Sequence, residues 1–479
     1  MLQADRRLKA TALFPVQGLR KAAAAAAGCA GIALLSLLIG RVSLFAPLHA
    51  SLLQFALLLA AVLGAVMVHR VKPAWLVPYI VAAWAFGPEA RRLVDWSFQS
   101  YSYLPPLALM PLCVTAVLLL TIVPNARKLD PRLRKLALLF ACVMAYGLLL
   151  GLARSGLSAV YELLSYAAPM LVLLYANVCG LDGGVRDLWL RAVAAIAVLV
   201  SAYGIVQYFV VPPWDALWMA GSEMISIGRP VPMEVRVFST MNAPGVTGVF
   251  LAVALGVMAS GRKWRAFGVP GMLIVAFCLL LTLVRSGWLA LVVMIAVYFF
   301  RAGARNRVRL LFALGVLYAA YQFAVPLLPG ADTIQSRMGT LGAIEEDHSY
   351  NERMAFVHKL VPAILANPVG NGLGSSGLAN KLGGGGGLSF DNGYLNLIYT
   401  FGVAGGLALL AVAMAAAAPL MRIRGAGRGY ASLSVAMAAA ALFLLFGQNV
   451  FTGAYGLLFW LLVSLGYFRE PEGRAAPTT

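Results

Sequence analysis

The sequence predicts an all-α polytopic membrane protein, a single transmembrane bundle over residues 1–479 with about fourteen spanning helices. Of its 479 residues, 61% are hydrophobic and 11% are charged, proportions outside the usual range of water-soluble domains. Apolar runs of roughly 18 residues or more, long enough to cross a bilayer as a helix, follow one another along the chain. A water-soluble core is therefore excluded.

Each predicted span is a long apolar stretch between polar or glycine-containing segments. The spans lie near residues 22–40, 50–69, 73–87, 104–123, 135–152, 157–179, 188–210, 241–260, 266–284, 286–301, 309–328, 393–419, 430–447 and 453–468. The first follows several basic residues, as a secretory signal would, but no clear cleavage site closes it and we expect it to be retained. The five cysteines fall within apolar runs at irregular spacing, so they predict neither disulfides nor a metal site.

Basic residues occupy alternate connections between the spans and set the predicted orientation. Clusters of Lys and Arg occur within 69–72, 127–135, 262–265, 301–309 and 422–428. The positive-inside rule places these connections and both termini in the cytoplasm. The formal net charge of +19 is then largely an orientation signal and does not indicate a nucleic-acid partner. The connections 88–103, 211–240 and 329–392 are expected on the opposite, periplasmic side.

The predicted loop 329–392 is by far the longest connection between spans. A loop of this length is usually functional when it is ordered. It contains turn chemistry at Gly370-Asn-Gly-Leu-Gly374 and the glycine run from Gly383 to Gly387, whose freedom in φ favours a flexible segment able to admit a bulky substrate. The alternative is a disordered linker without a role.

Arginine is frequent in the predicted outer segments, against the trend that keeps basic residues inside. These residues are Arg91, Arg92, Arg154, Arg229, Arg236, Arg285, Arg337 and Arg353. Because guanidinium is always charged and its planar fork matches phosphate oxygens, the cluster predicts an anionic, phosphate-bearing substrate. The alternative for Arg285, which lies between two short spans, is contact with lipid headgroups, and for Arg236 it is a solvated loop cation.

Two residues are candidate general bases. Asp391 precedes the apolar helix that begins near residue 393, where it is either an N-cap or a carboxylate held at the membrane surface to accept a proton. His348, within Asp347-His348-Ser-Tyr-Asn-Glu-Arg353, is the substitute base if Asp391 only caps the helix.

Four short motifs together resemble the O-antigen ligase and Wzy-type polysaccharide polymerase superfamily. They are Arg-Val-x-x-Thr-x-Asn beginning at Arg236, Arg-Ser-Gly-Trp beginning at Arg285, Arg353 followed by Asn-Pro-x-Gly-x-Gly-Leu-Gly, and x-Asn-x-Tyr-Leu-x-Leu beginning at Asp391. The resemblance implies a GT-C-like fold and a glycosyltransferase in the bacterial inner membrane whose active site faces the periplasm. Such an enzyme transfers a glycan from an undecaprenyl-diphosphate carrier to an acceptor hydroxyl, with inversion and with neither cofactor nor metal.

The resemblance also implies the roles of particular residues and the partners. Arg236 and Arg285, with Arg353, become candidate ligands of the donor diphosphate, and Asp391 or His348 the catalytic base. Ligases typically carry His at the position of Asp391, so Asp favours a polysaccharide polymerase of exopolysaccharide biosynthesis over an O-antigen ligase or a protein O-oligosaccharyltransferase. The expected partners are the lipid-linked donor, an acceptor glycan and membrane lipids, with a chain-length regulator as a further candidate.

A lipid-linked oligosaccharide flippase or another transporter is the alternative from a different class. Transporters usually carry ionisable residues near the bilayer midplane and show paired repeats. Here Glu162 is the notable charge within a predicted span, no internal repeat is visible, and the candidate residues lie at the outer edge. These features favour the enzyme.

Overall fold

The computed structural model describes residues 46–468 except 223, 302, 306, 309, 313, 316–356, 359, 363, 365, 378–389 and 424–427. Over these residues the regular secondary structure is helical, and β-type pairing is limited to an isolated bridge between Gly228 and Val235. The all-α class predicted from the sequence is confirmed. The glycine run 383–387 lies outside the described residues, as do both termini.

The helices are numbered here in chain order. They are α1 Ala46–Val71, α2 Leu76–Ser97, α3 Met110–Ala116, α4 Leu119–Ile122, α5 Pro131–Ser155, α6 Leu157–Val178, α7 Gly184–Val210, α8 Pro213–Ser222, α9 Pro244–Ser260, α10 Gly268–Leu281, α11 Arg285–Arg301, α12 Gly393–Ala417, α13 Arg428–Leu444 and α14 Gly453–Ser464. Further helical residues lie within 304–315 and 357–366.

Five helices among the described residues are long and apolar enough to cross a membrane, judged by length and composition. They are Leu48–Val71, Pro131–Ser155, Leu157–Val178, Gly184–Val210 and Gly393–Arg422. Shorter apolar helices cover the predicted spans near 104–123, 241–260, 266–284, 430–447 and 453–468. The span 22–40 and most of 309–328 lie outside the described residues, so the total of about fourteen spans stays a prediction.

The centre of the bundle is built on α9 and α14, whose residues are buried on every face. Helix α9 packs against α11, and α14 packs against α6. Small residues let the first pair approach closely, because a Cβ added to Gly287 of α11 would lie 3.1 Å from the backbone of Gly248 in α9. Such close packing of small residues is common between membrane helices, where apolar burial alone does not hold helices together.

Several of the basic connections meet at one end of the bundle. Asp187, at the start of α7, accepts hydrogen bonds from Lys263 at 3.1 Å and from the Tyr430 hydroxyl at 2.6 Å. Arg301, at the end of α11, donates to the carbonyl of Leu420 at 3.2 Å. These contacts join the predicted inside connections 262–265, 301–309 and 422–428. The candidate site residues described below cluster on other segments.

The predicted connection 88–103 is helical over its first ten residues. Helix α2 continues to residue 97, so Arg91 and Arg92 are helical, with exposed fractions of 8% and 0%. Arg92 pairs with Glu89 and with Asp215 of α8, the latter at 2.9 Å, while Arg91 pairs with Asp95 at 3.4 Å. Buried arginines of this kind are retained because acidic partners compensate their charge. Both are structural cations in the helix.

Candidate functional site

Arg236 and the residues before Arg285 are in direct contact. The Arg236 side chain donates to the carbonyl of Thr282 at 2.9 Å through Nε and to that of Leu283 at 3.3 Å through Nη2. These carbonyls form the turn between α10 and α11, and Arg285 is the first residue of α11. The two arginines, which the sequence proposes as one site, therefore lie on adjoining segments. Arg236 is half-buried and donates to two backbone carbonyls, which favours a fixed side chain over a solvated loop cation.

A buried glutamine fixes the segment that follows Arg236. Gln207 of α7 accepts hydrogen bonds from the backbone N–H groups of Phe238 and Ser239 at 3.0 and 2.7 Å. Ser239 has a φ of 53°, a left-handed conformation that a serine adopts only when its surroundings impose it. Gln207 in turn donates to the Asp215 carboxylate at 2.6 Å. The Arg236 segment is held to the helix bundle by side chains rather than by a regular strand.

Arg92 also holds the segment that follows Arg236 in place. Its Nη2 donates to the carbonyl of Ser239 at 2.6 Å, and its guanidinium lies 4.9 Å from the ring centre of Phe238. Burial raises the pKa of the Asp215 carboxyl, an effect that the Arg92 charge and the Gln207 hydrogen bond oppose. The cluster of Arg92, Asp215 and Gln207 positions the backbone of the segment that carries Arg236.

A cavity of about 420 Å³, whose surface is mainly apolar with polar groups among it, lies close to the segment that Arg236 begins. Its wall combines amides, hydroxyls, aromatic rings, one carboxylate and one guanidinium; the residues that provide these groups are Trp84, Arg91, Tyr161, Glu162, Ser165, Asn242, Ser376, Phe390, Asn396, Gln448, Asn449, Thr452 and Tyr455. Asn242 ends the segment that Arg236 begins. Arg236 also interacts electrostatically with Tyr455.

One wall of the cavity is a chain of hydrogen-bonded side chains. Asn449 donates to the Tyr166 hydroxyl at 2.6 Å and to Asn396 Oδ1 at 2.7 Å, and Asn396 donates to Ser376 Oγ at 2.9 Å. The four residues come from α6, from α12, from residues 370–377, which are called the glycine-rich segment below, and from the turn before α14. Because each amide is engaged, the wall is preorganised.

The glycine-rich segment crosses directly against three helices. The N–H of Gly372 donates to the Thr400 carbonyl at 2.9 Å, and the N–H of Gly374 donates to the Glu162 carboxylate. Gly370, Gly372 and Gly374 all have positive φ. The turn conformations expected of these glycines are present, and they allow this part of the chain to pack closely against helix backbones.

Gly372 provides a test of that packing. A Cβ at this position would lie 2.3 Å from the backbone nitrogen of Gly151, and its φ is 84°. Gly372→Ala is expected to lower the free energy of unfolding by more than the roughly 1–2 kcal/mol that a left-handed alanine costs alone, which is measured as a drop in the melting temperature of the detergent-purified protein. Gly377→Ala is the matched control, because Gly377 has a φ of 67° and no atom within 4 Å of the added Cβ. Equal shifts for the two variants would contradict the close backbone packing.

Asp391 lies beside the cavity and is exposed. The N-cap of α12 is its neighbour Asn392, whose side chain accepts from the N–H of Leu395 at 3.1 Å. The N-cap interpretation of Asp391 is therefore wrong. Phe390, immediately before Asp391, lines the cavity, so the backbone of Asp391 lies close to it. His348 and Arg353 lie outside the described residues.

Sequence reasoning missed most of the cavity wall. Asn242 and Asn396 fall within the quoted motifs but were given no role, and Glu162 was noted only as an unusual charge within a span. Gln448 and Asn449 lie at the break between two apolar helices, in Gly447-Gln-Asn449, and polar amides at such a break are the signal that points to them.

Residues 270–410 match a family model described as O-antigen ligase. The match confirms the resemblance to the O-antigen ligase and Wzy superfamily and indicates a membrane enzyme of the glycosyl-transfer type. It includes Arg285, the segment 367–374 and Asp391, whereas Arg236 and Glu162 precede it. No curated protein matches the chain.

Proposed function

We propose that this chain is a polysaccharide polymerase that transfers an undecaprenyl-diphosphate-linked glycan to an acceptor sugar hydroxyl at the periplasmic face of the inner membrane. The observation that carries the proposal is the junction of Arg236 with the turn that leads into Arg285, close to the cavity. A pair of guanidinium groups fits the donor diphosphate, and the cavity close to them offers space for a sugar. The match to the O-antigen ligase family supports the same donor chemistry.

In the proposed reaction, the acceptor hydroxyl attacks the anomeric carbon of the donor glycan. The new bond joins that carbon to the acceptor oxygen, and the bond between the carbon and the diphosphate oxygen breaks. The hydroxyl proton passes to the Asp391 carboxylate, and the lipid diphosphate leaves with the bonding electrons. Arg236 and Arg285 stabilise the charge that develops on the departing oxygens. Direct displacement inverts the configuration of the anomeric carbon.

The choice of polymerase depends on Asp391, which occupies the position where ligases carry His. An O-antigen ligase and a protein O-oligosaccharyltransferase remain the alternatives, because they use the same donor and differ in the acceptor. The periplasmic orientation depends on the basic connections, several of which meet at one end of the bundle.

Reconstitution tests this function. Purified protein in liposomes, supplied with the lipid-linked glycan of its own cell, is expected to release undecaprenyl diphosphate and to form a longer lipid-linked glycan with the inverted linkage. Mass spectrometry measures both products, and nuclear magnetic resonance gives the linkage. Movement of the donor between leaflets without any longer product would instead identify a flippase and contradict the proposal.

A further inference from the structure

Glu162 is a carboxylate within a membrane-embedded helix that the proposed reaction does not use. It lies on α6, lines the cavity described above, and has an exposed fraction of 8%. Its hydrogen-bond partner among the described residues is the N–H of Gly374, and it forms no ion pair with any of them. A charged group removed from water in this way needs further polar partners. The cavity that Glu162 lines offers space for them.

Two other groups in the cavity wall lack partners. The Asn242 side-chain oxygen and the Gln448 side-chain nitrogen are buried and have no hydrogen-bond partner within the part of the chain that the structure describes. One is an acceptor and the other a donor. Both residues line the cavity. Because buried polar atoms are almost always paired, unpaired ones on its wall indicate a ligand with hydroxyl or amide groups.

The electrostatics of the cavity disfavour an acidic ligand. Its guanidinium, Arg91, is engaged by Asp95 at 3.4 Å and by the carbonyl of Ser102. No cation pairs with Glu162 among the described residues, so Glu162 offers a carboxylate ligand no compensating positive charge. The rings of Trp84 and Phe390 offer apolar faces, and the volume of about 420 Å³ lies within the usual range for small-ligand sites. An uncharged sugar ring matches these features.

We infer that this cavity is the binding subsite for a neutral sugar ring at the accepting end of the glycan, with Glu162 as the hydrogen-bond acceptor for one of its hydroxyls. Asn242 and Gln448 provide the complementary acceptor and donor. The inference rests on the proposed function and adds the class of acceptor to it. It assigns Arg236 and Arg285 to the diphosphate and Glu162 to the sugar, so the two groups of residues act on different ligands.

Binding measurements separate these assignments. Mild acid cleaves the sugar–phosphate bond of the cell's lipid-linked glycan and releases the free glycan, which serves as the probe for the cavity. Undecaprenyl diphosphate serves as the probe for the arginines. Glu162→Gln keeps the shape of the side chain and the acceptor for Gly374, but loses the charge. We expect it to weaken binding of the free glycan by about tenfold or more, with undecaprenyl diphosphate binding unchanged.

Three further measurements complete the test. Ala454→Phe, which fills the cavity, should abolish glycan binding, while Glu234→Gln, at a half-exposed site away from the cavity, should not affect it. The free glycan should bind equally well with undecaprenyl diphosphate present. Melting temperatures identify any variant that misfolds.

Either competition between the two probes or unchanged glycan binding by both Glu162→Gln and Ala454→Phe would overturn the inference. Glycan binding is measured without turnover. An absence of glycan binding together with normal transfer would therefore refute the subsite and leave the proposed function standing. Transfer can likewise fail while the subsite is confirmed.

Discussion

Replacing Asp391 with Asn is expected to lower the rate of glycan transfer by about 10²–10⁴-fold while leaving the fold intact. Asn has nearly the same shape but cannot accept the proton of the acceptor hydroxyl. The helix start should not change, because the N-cap of α12 is Asn392. The measurement is the initial rate with reconstituted protein and lipid-linked glycan, together with the melting temperature of each variant.

Three companion variants control this experiment. Asn392→Ala should lower stability by about 1 kcal/mol through loss of the cap, which gives the size of a purely structural effect. Asp391→His should keep part of the activity if the position serves proton transfer, since the superfamily resemblance places His there. His348→Ala tests the other candidate base. Full activity of Asp391→Asn combined with an inactive His348→Ala would move the catalytic role to His348.

Lysine at position 236 or 285 is expected to reduce transfer by about 10²–10³-fold, the range for loss of one preorganised group that stabilises a developing oxyanion. Lysine keeps the positive charge but cannot form two parallel hydrogen bonds to a diphosphate. At position 236 it also cannot donate to both the Thr282 and Leu283 carbonyls, as Arg236 does. Transfer rates and binding of undecaprenyl diphosphate should decline together.

Arg229 provides the matched control for the arginine variants. It lies in the same connection as Arg236, but its side chain is 82% exposed and its ion pair with Glu234 spans 3.8 Å. Arg229→Lys should leave both transfer and diphosphate binding unchanged, because exposed pairs contribute little. Wild-type turnover by both Arg236→Lys and Arg285→Lys would refute the diphosphate assignment and leave lipid headgroup contact as the explanation for Arg285.

The sequence predicted the elements of the fold better than the interactions between them. Apolar runs locate most of the described helices within a few residues, because hydrophobic length is a local property. The end of α2 was misplaced because Arg91 and Arg92 have the composition of a loop. Arg92 pairs with Glu89 one helical turn away and also with Asp215, more than a hundred residues away. No local pattern reveals the pairing with Asp215.

In the candidate site too, individual residues were easier to predict than the contacts between them. Arginine chemistry and the motifs identified Arg236 and Arg285 as a pair, and the structure joins their segments. Glu162 was visible in the sequence as an unusual charge, but its function depends on Gly374, which is 212 residues distant. Asp391 and Asn392 are both acceptable N-caps, so backbone geometry was needed to decide between them.

The packing of the glycine-rich segment bears on how this superfamily can be recombined. Gly372 and Gly374 lie within the stretch 270–410 that matches the family model, yet they press against Gly151 and Ala159 of α5 and α6, which lie outside it. The recognisable part of the sequence is therefore not an autonomous module. A chimera that exchanges 270–410 between relatives has to exchange the α5–α6 hairpin with it, since backbones in contact leave no room for a mismatched neighbour.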